Sequence, residues 1–577
     1  MMFSTLAVWY IFLNCPVISI FAKSVGHAET DSCQSYTDPV YTNYGALQGL
    51  VSERSRIFYG IPYAMPPVGQ RRWKAPEEPL SMGENTFLSI SQPPACPQVC
   101  GDPIGTCPEV FDEDCLYLNI FTPLNVKESD SLPVMIFIHG GNFDHGGAAT
   151  LLYDGQHLAN TTNTIMVVIN YRVGALGFLV ADGIDESLNG NFAILDQRLA
   201  FKYVQENIAA FGGDPNSVTL FGQSAGAQSI AIHMSSPDSA NLFHRSIMQS
   251  NPFTLPYRDR ASAVEIGVQL ADVLGCIPSD IDCLRSCSSY DIYEAQLVVA
   301  SNVDYTDLLQ NFEYWGPVID GTEIAMHPLE AYAQNSFQDK PMIIGALSQD
   351  ALPYVYQLLP FEVPTALANT ILFGLFGANA LKISLLYPFQ LFGGDQRDVL
   401  TDITTDLVFA CSSRYALLNA QQNGQSAVYM YEFAHAVSFE EAWGPGMSYC
   451  YGKVCHGGDL PFIFQNAGEL GYVYTTEELL LSDSMIYYWT NFAHTGDPNK
   501  VGEKSTSNYN PEFTTWPEFT VEDGMAQIRL VTPINEQLTD YKTDNCDLFD
   551  SIGYDVTYGL DIEIVNEVES SKVGNTK

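Results

Sequence analysis

Ser217-Val218-Thr219-Leu220-Phe221-Gly222-Gln223-Ser224-Ala225-Gly226 is the stretch on which the fold turns. Its first half is β-branched and apolar, the composition of a strand covered on both faces. Its second half is Gly-x-Ser-x-Gly, and Ala227-Gln228-Ser229-Ile230-Ala231-Ile232-His233 then opens a helix. Strand, sharp turn and helix together expose a serine hydroxyl at the end of a sheet. A Cβ at Gly222 or Gly226 would strike neighbouring backbone in so tight a turn, while the Ser224 side chain is left projecting. The motif alone arises by accident in roughly one chain in five of this length, so its surroundings must carry the argument.

Outward from it, four further apolar runs read as strands: Val134 to Ile138, Ile165 to Ile169, Met342 to Ile344 and Ala427 to Tyr431. Helical stretches alternate with them. The clearest spans about Phe192 to Phe211 and is closed by Gly212-Gly213 and Asp214-Pro215. Such alternation predicts an α/β protein with a large, mostly parallel central sheet flanked by helices. A helical insertion is expected from about Arg258 to Gln310. No repeat or linker divides the rest, so we expect one domain over 29–560, a leader over 1–28 and an acidic, loose tail over 561–577.

A serine hydroxyl is a poor nucleophile until an imidazole takes its proton, and the imidazole needs a carboxylate to orient it. On a sheet of this kind the chain order is serine, acid, histidine. Asp350 lies just beyond the strand Met342 to Ile344, and His456 opens His456-Gly457-Gly458-Asp459-Leu460-Pro461-Phe462. His494 is the rival base, read as structural. His139-Gly140-Gly141-Asn142-Phe143 follows the strand ending at Ile138, where a loop of oxyanion donors belongs. The backbone N–H groups of Gly141, Asn142 and Ala225 are the expected donors. The chemistry requires no metal and no cofactor.

The chain carries 67 acidic against 25 basic residues, a formal charge of -42. Such a charge repels nucleic acid and anionic membrane surfaces, which excludes a nucleic-acid partner and suits an acidic or salty compartment. Residues 1–22 are apolar and uncharged. They read as a signal, cleaved before Glu29 or after Ala22, with a retained anchor as the alternative. No later segment reads as long and apolar enough to cross a membrane, so no anchor is expected after cleavage. Without Cys15, twelve cysteines remain, an even number that suits an oxidising compartment. Cys96, Cys100, Cys107 and Cys115 lack the close pairs of a zinc site and read as disulfide partners. Asn160-Thr161-Thr162 is a glycosylation sequon. Together these predict secretion, or residence in an endolysosomal or secretory vesicle.

Several separate blocks resemble the type-B carboxylesterase and cholinesterase family of α/β-hydrolases, from about residue 40 to 555. They include Phe58-Tyr59-Gly60-Ile61-Pro62-Tyr63-Ala64-Met65-Pro66-Pro67-Val68-Gly69, Glu113-Asp114-Cys115-Leu116-Tyr117-Leu118-Asn119-Ile120 and Asn170-Tyr171-Arg172-Val173-Gly174-Ala175-Leu176-Gly177-Phe178. Gly190 through Gly226, and Tyr488-Trp489-Thr490-Asn491-Phe492 with the His-Thr-Gly-Asp-Pro-Asn after it, add to these. The resemblance implies a Ser224, Asp350, His456 triad and an oxyanion hole from Gly141, Asn142 and Ala225. It also implies disulfides Cys96 to Cys115, Cys411 to Cys546, Cys450 to Cys455, and Cys276 to Cys283 or Cys287. We further expect Cys100 to pair with Cys107, and Cys33 with whichever of Cys283 and Cys287 remains.

Three residues depart from the family's pattern. Asp350 stands where glutamate is common, one methylene shorter. Asn142 replaces the third glycine of the oxyanion loop, and Asn is the non-glycine residue that best adopts a positive φ. Gln223 replaces the acidic residue usual before the nucleophile, which weakens the potential a cation would feel. The loop from Cys96 to Cys115 also has no Trp for choline stacking. The expected activity is therefore hydrolysis of uncharged carboxylic esters, small-molecule or lipid. The competing expectations are sterol-ester or lipid specificity, and a non-catalytic adhesion or structural protein on the same fold.

Overall fold

In the strand Leu132–Ile138 (β5) every residue is buried, and alternate side chains feed two different cores. Val134, Ile136 and Ile138 join one apolar cluster, and Met135 and Phe137 join another. The same alternation runs along Ile165–Ile169 (β6), where Val167 faces one core and Met166 and Val168 face the other. A sheet apolar on both faces must be covered twice. The helices Phe192–Asn207 and Ala225–Ser235 cover one face through Ala193, Phe201, Val204, Ile230 and Met234. The helix Thr476–Thr495 covers the other through Leu481, Met485, Trp489 and Phe492.

The computed structural model describes residues 35–554, apart from 102, 104, 185, 302–308, 391–393, 508–509 and 511–512. Its central sheet has twelve strands. In chain order these are Ser35–Tyr36 (β1), Leu50–Val51 (β2), Arg56–Pro62 (β3), Tyr117–Thr122 (β4), β5, β6, Gly213–Gln223 (β7), Arg245–Gln249 (β8), Met342–Leu347 (β9), Val428–Phe433 (β10), Gln527–Leu530 (β11) and Glu536–Leu538 (β12). They lie in the order β1-β2-β3-β4-β6-β5-β7-β8-β9-β10-β11-β12. From β6 to β11 neighbouring strands are parallel, and the flanking pairs are antiparallel. From β5 the chain moves to β6 on one side and then to β7 on the other. The crevice at that reversal, beyond the carboxyl ends of the strands, is where such sheets bind ligands.

All five runs read as strands lie in this sheet, Ile165–Ile169 with the bounds read from the sequence and the other four lengthened or shifted by pairing with their neighbours. The helix expected over Phe192 to Phe211 is α-helical to Asn207 and 3-10 from Ile208–Phe211. The insertion folds as the helices Arg260–Leu274, Ile281–Ser286 and Ser289–Ala300.

Cystines join Cys96 to Cys115, Cys100 to Cys107, Cys276 to Cys283, Cys411 to Cys546 and Cys450 to Cys455. Cys287 is a free thiol among the described residues, half-buried with its sulfur 4.0 Å from that of Cys276. The leader, Cys33 and the tail lie outside the described residues. One expectation needs correction: Thr365–Leu386, 22 residues, is long and apolar enough to cross a membrane by length and composition. Its Asn, Thr and Gly residues disguise it in the sequence, yet Lys382 is its one charged residue. In the fold it forms two helices, Thr365–Phe376 and Ala380–Leu386, broken by a 3-10 turn at Gly377–Asn379.

Candidate active site

Ser224 sits between β7 and the helix that Ala225 opens, with φ 56° and ψ -125°. Few non-glycine residues adopt such a backbone, and here the surroundings enforce it. The Ser224 N–H donates to the Gln249 carbonyl at the end of β8 (2.9 Å). A Cβ on Gly226 would lie 2.0 Å from the Ile138 carbonyl oxygen, and one on Gly222 2.8 Å from the same atom. The two motif glycines therefore let the turn press against the end of β5, bringing the serine beside the loop that follows it.

That loop holds Gly141, Asn142 and Phe143 at φ 106°, 50° and 60°. Asn142 thus takes the left-handed conformation its place demands. The loop is pinned from several sides. The Asp144 and His145 N–H groups donate to the Gly141 carbonyl (2.8 and 3.1 Å), and Gly174 N–H to the Phe143 carbonyl (2.7 Å). Gly146 N–H donates to Gln98 Oε1 (2.7 Å). The His139 ring stacks on Tyr171 with centroids 4.2 Å apart, and burial lowers its pKa to about 4. It is therefore a neutral brace.

Asp350 and His456 come from the loops after β9 and β10. Asp350 is fully buried. Its Oδ2 accepts the Leu347 N–H (2.8 Å) and its Oδ1 meets His456 Nδ1 at 2.6 Å. That N–H bond ties the carboxylate back to the end of β9, across the turn Ser348 to Asp350. An ionised carboxylate only accepts, so in the neutral ring the proton sits on Nδ1 and the lone pair on Nε2. The rings of Tyr354 and Phe409 flank the imidazole, with centroids 5.3 and 5.4 Å away. Gln223 Nε2 lies 2.8 Å from His456 Nε2.

Ser224, His456, Gly141 and Asn142 line one pocket, whose other walls include Trp443, Tyr472, Phe439 and Leu470. The structure thus gathers the expected serine, acid, base and donor loop around one cavity. His494 stands apart, its Nε2 3.2 Å from the Thr162 carbonyl. Asn160 is exposed on the helix Gln156–Thr162. Among the described residues no three His, Cys, Asp or Glu side chains gather to hold a metal.

Sequence reasoning missed other residues. Trp443 and Tyr472 supply rings that no motif announces. Asp459, three residues after His456, is a further buried carboxyl. Its Oδ2 accepts from Gln249 Nε2 (2.8 Å) and Tyr431 O–H (3.4 Å), and burial raises its pKa to about 6. In and beside the loop after β5, burial likewise lifts Asp144 to about 7 and Glu313 to about 8, while Glu313 accepts from Gln228 Nε2 (3.0 Å). Spacing three residues after a candidate base could have flagged Asp459. Nothing local flags Glu313.

An elbow serine at the switch point of a mostly parallel sheet, with a carboxylate-bound imidazole beside it, defines an α/β-hydrolase. The Carboxylesterase family profile matches residues 37–549. Carboxylesterase 1D of Mus musculus is 33% identical over 544 residues, covering 87% of this chain and 90% of that protein. The "Crystal protein" of Dictyostelium discoideum is 36% identical over 516 residues, covering 88% and 90%. Among solved structures, PNB esterase superposes with a TM-score of 0.72 at 30% identity, covering 88% of this chain and 99% of that one. The chain belongs to the carboxylesterase family, and it is a carboxylic-ester hydrolase.

Proposed function

We propose that the protein hydrolyses uncharged carboxylic esters through an acyl-enzyme on Ser224, with His456 as general base and acid and Asp350 as the orienting carboxylate. The observation that carries this reading is the 2.6 Å Asp350–His456 contact at the rim of a pocket that also holds Ser224 in its positive-φ turn. The Ser224 hydroxyl gives its proton to His456 Nε2 as Oγ attacks the ester carbon. The carbonyl oxygen, now anionic, is met by the N–H groups of Gly141, Asn142 and Ala225. His456 returns the proton to the departing alcohol, and water enters by the same route in reverse to free the acid. Losing one donor of such a hole costs roughly 3 kcal/mol in the barrier.

The substrate class follows from the walls. Aromatic and aliphatic side chains line most of the pocket, and Gln223 rather than a carboxylate stands beside the serine. A cationic group therefore gains little there, and an uncharged acyl or lipid ester gains most. Five cystines and the exposed Asn160 sequon support an exported, glycosylated protein. One substitution tests the assignment of the nucleophile. Ser224→Ala abolishes hydrolysis of p-nitrophenyl butyrate and leaves the melting temperature nearly unchanged; equal turnover by the variant refutes the assignment.

A further inference from the structure

The nitrogen that must accept the Ser224 proton already has a partner. His456 Nδ1 is committed to Asp350 at 2.6 Å, so the neutral ring presents a lone pair at Nε2, and Gln223 Nε2 lies 2.8 Å from it. Two acceptors would repel at that distance, so the amide must face the ring with its N–H. Its Oε1 points the other way, 2.9 Å from where a Cβ of Gly140 would stand. The side chain therefore spans the gap between the oxyanion loop and the imidazole, in space that a Cβ at position 140 would fill.

We propose that Gln223 is a positioning residue that holds His456 as the neutral base, by donating to the lone pair that a proton would otherwise occupy. A hydrogen bond to the uncharged form of a group disfavours its charged form. The amide thus opposes Asp350, whose carboxylate favours the imidazolium. The other titratable groups facing the ring are Asp459, buried at the start of the helix Leu460–Phe464, Tyr354 from the helix Leu352–Leu358, and His145 across the pocket on the oxyanion loop. A carboxylate at position 223 would put a second anion on the ring and favour the imidazolium further. With glutamine there, the base stays available at lower pH. The amide yields Nε2 to the serine only when substrate draws the hydroxyl into line, so it fixes the resting ring without entering the bond changes.

The inference rests on Ser224 and His456 acting as proposed above, and its test separates the two. The acid limb of kcat/KM for p-nitrophenyl butyrate is measured in the full-length protein, in Gln223→Glu and in Gln223→Met, each also combined with Asp459→Asn. Gln223→Glu moves the limb up by about one pH unit or more, as expected for an opposite charge in contact with the ring. Gln223→Met, which removes the donor and keeps the length, moves it up by about half a unit. Both shifts persist with Asp459→Asn, which excludes titration of Asp459 as their source. Limbs that coincide in an active set, or a loss of rate uniform in pH, overturn the inference and leave the nucleophile and base intact. A wild type that hydrolyses no ester overturns both.

Discussion

Asn142 shows how one side chain is licensed by its backbone. With φ at 50° it occupies the left-handed region, which costs most L-residues about 1–2 kcal/mol and costs asparagine and glycine least. Asn142→Gly should therefore keep the loop in place and retain kcat/KM. Asn142→Val should lower it about tenfold or more by turning the N–H away from the oxyanion, as steady-state kinetics on the two variants will check. Ser224, His456, Asp350 and Asn142 were legible in the sequence because each lies at a strand end next to glycine or in fixed chain order. The Gln223 contact was legible only as an unusual residue. Its partner is 233 positions away, and no local pattern encodes that distance. Tyr354 and Trp443 were missed for the same reason, since an aromatic residue in a pocket wall reads like one in a core, where Phe409 does lie.

At the scale of elements, the elbow works only because β5 and β7 are in register, Ile138 beside Gly222. Gly226→Ala places a methyl 2.0 Å from the Ile138 carbonyl oxygen, so the turn must shift. The expected result is a fall of the melting temperature by several degrees together with loss of most ester hydrolysis; unchanged values for both would refute the proposed crowding. Strands with unbroken apolar runs, such as Ile165–Ile169, were readable to the residue. Arg245–Gln249 was not, because Arg, Ser and Gln interrupt it and its burial comes from both neighbours in the sheet. Thr365–Leu386 failed in the opposite sense: its apolar character exceeds what its polar punctuation suggests, and much of it stays exposed in the fold, including Phe373, Leu381 and Leu385.

For the whole molecule, charge and buried acids push in the same direction. Asp144, Asp459 and Glu313 are raised by burial to about 7, 6 and 8, from 3.8, 3.8 and 4.5. Each binds its proton more tightly folded than unfolded, so its stabilising contribution is complete below about pH 4 and is lost as pH rises through those values. Lowered groups act oppositely: burial holds the imidazoles of His139 and His494 at about 4 and lowers those of His157, His233 and His244, so each gains stability as pH rises towards the ordinary 6.5. Above that value only the raised acids of the two sets still titrate, and self-repulsion at a formal charge of -42 grows with them as carboxyls ionise. The melting temperature should therefore fall from pH 7 to pH 8, where the histidines are neutral folded and unfolded while Asp144 and Glu313 ionise, and Asp144→Asn should reduce the fall. A melting temperature that climbs from pH 7 to pH 8 would contradict this.

The central claim is that the constellation around Ser224 is a working esterase site, and a fluorophosphonate probe tests it most directly, because it reports serine activation without presuming a substrate. Incubation of the folded protein, digestion and mass spectrometry should place the phosphonyl adduct on Ser224, with Ser224→Ala and His456→Ala unlabelled. Folded wild type that stays unlabelled, or an adduct on another serine, would contradict it.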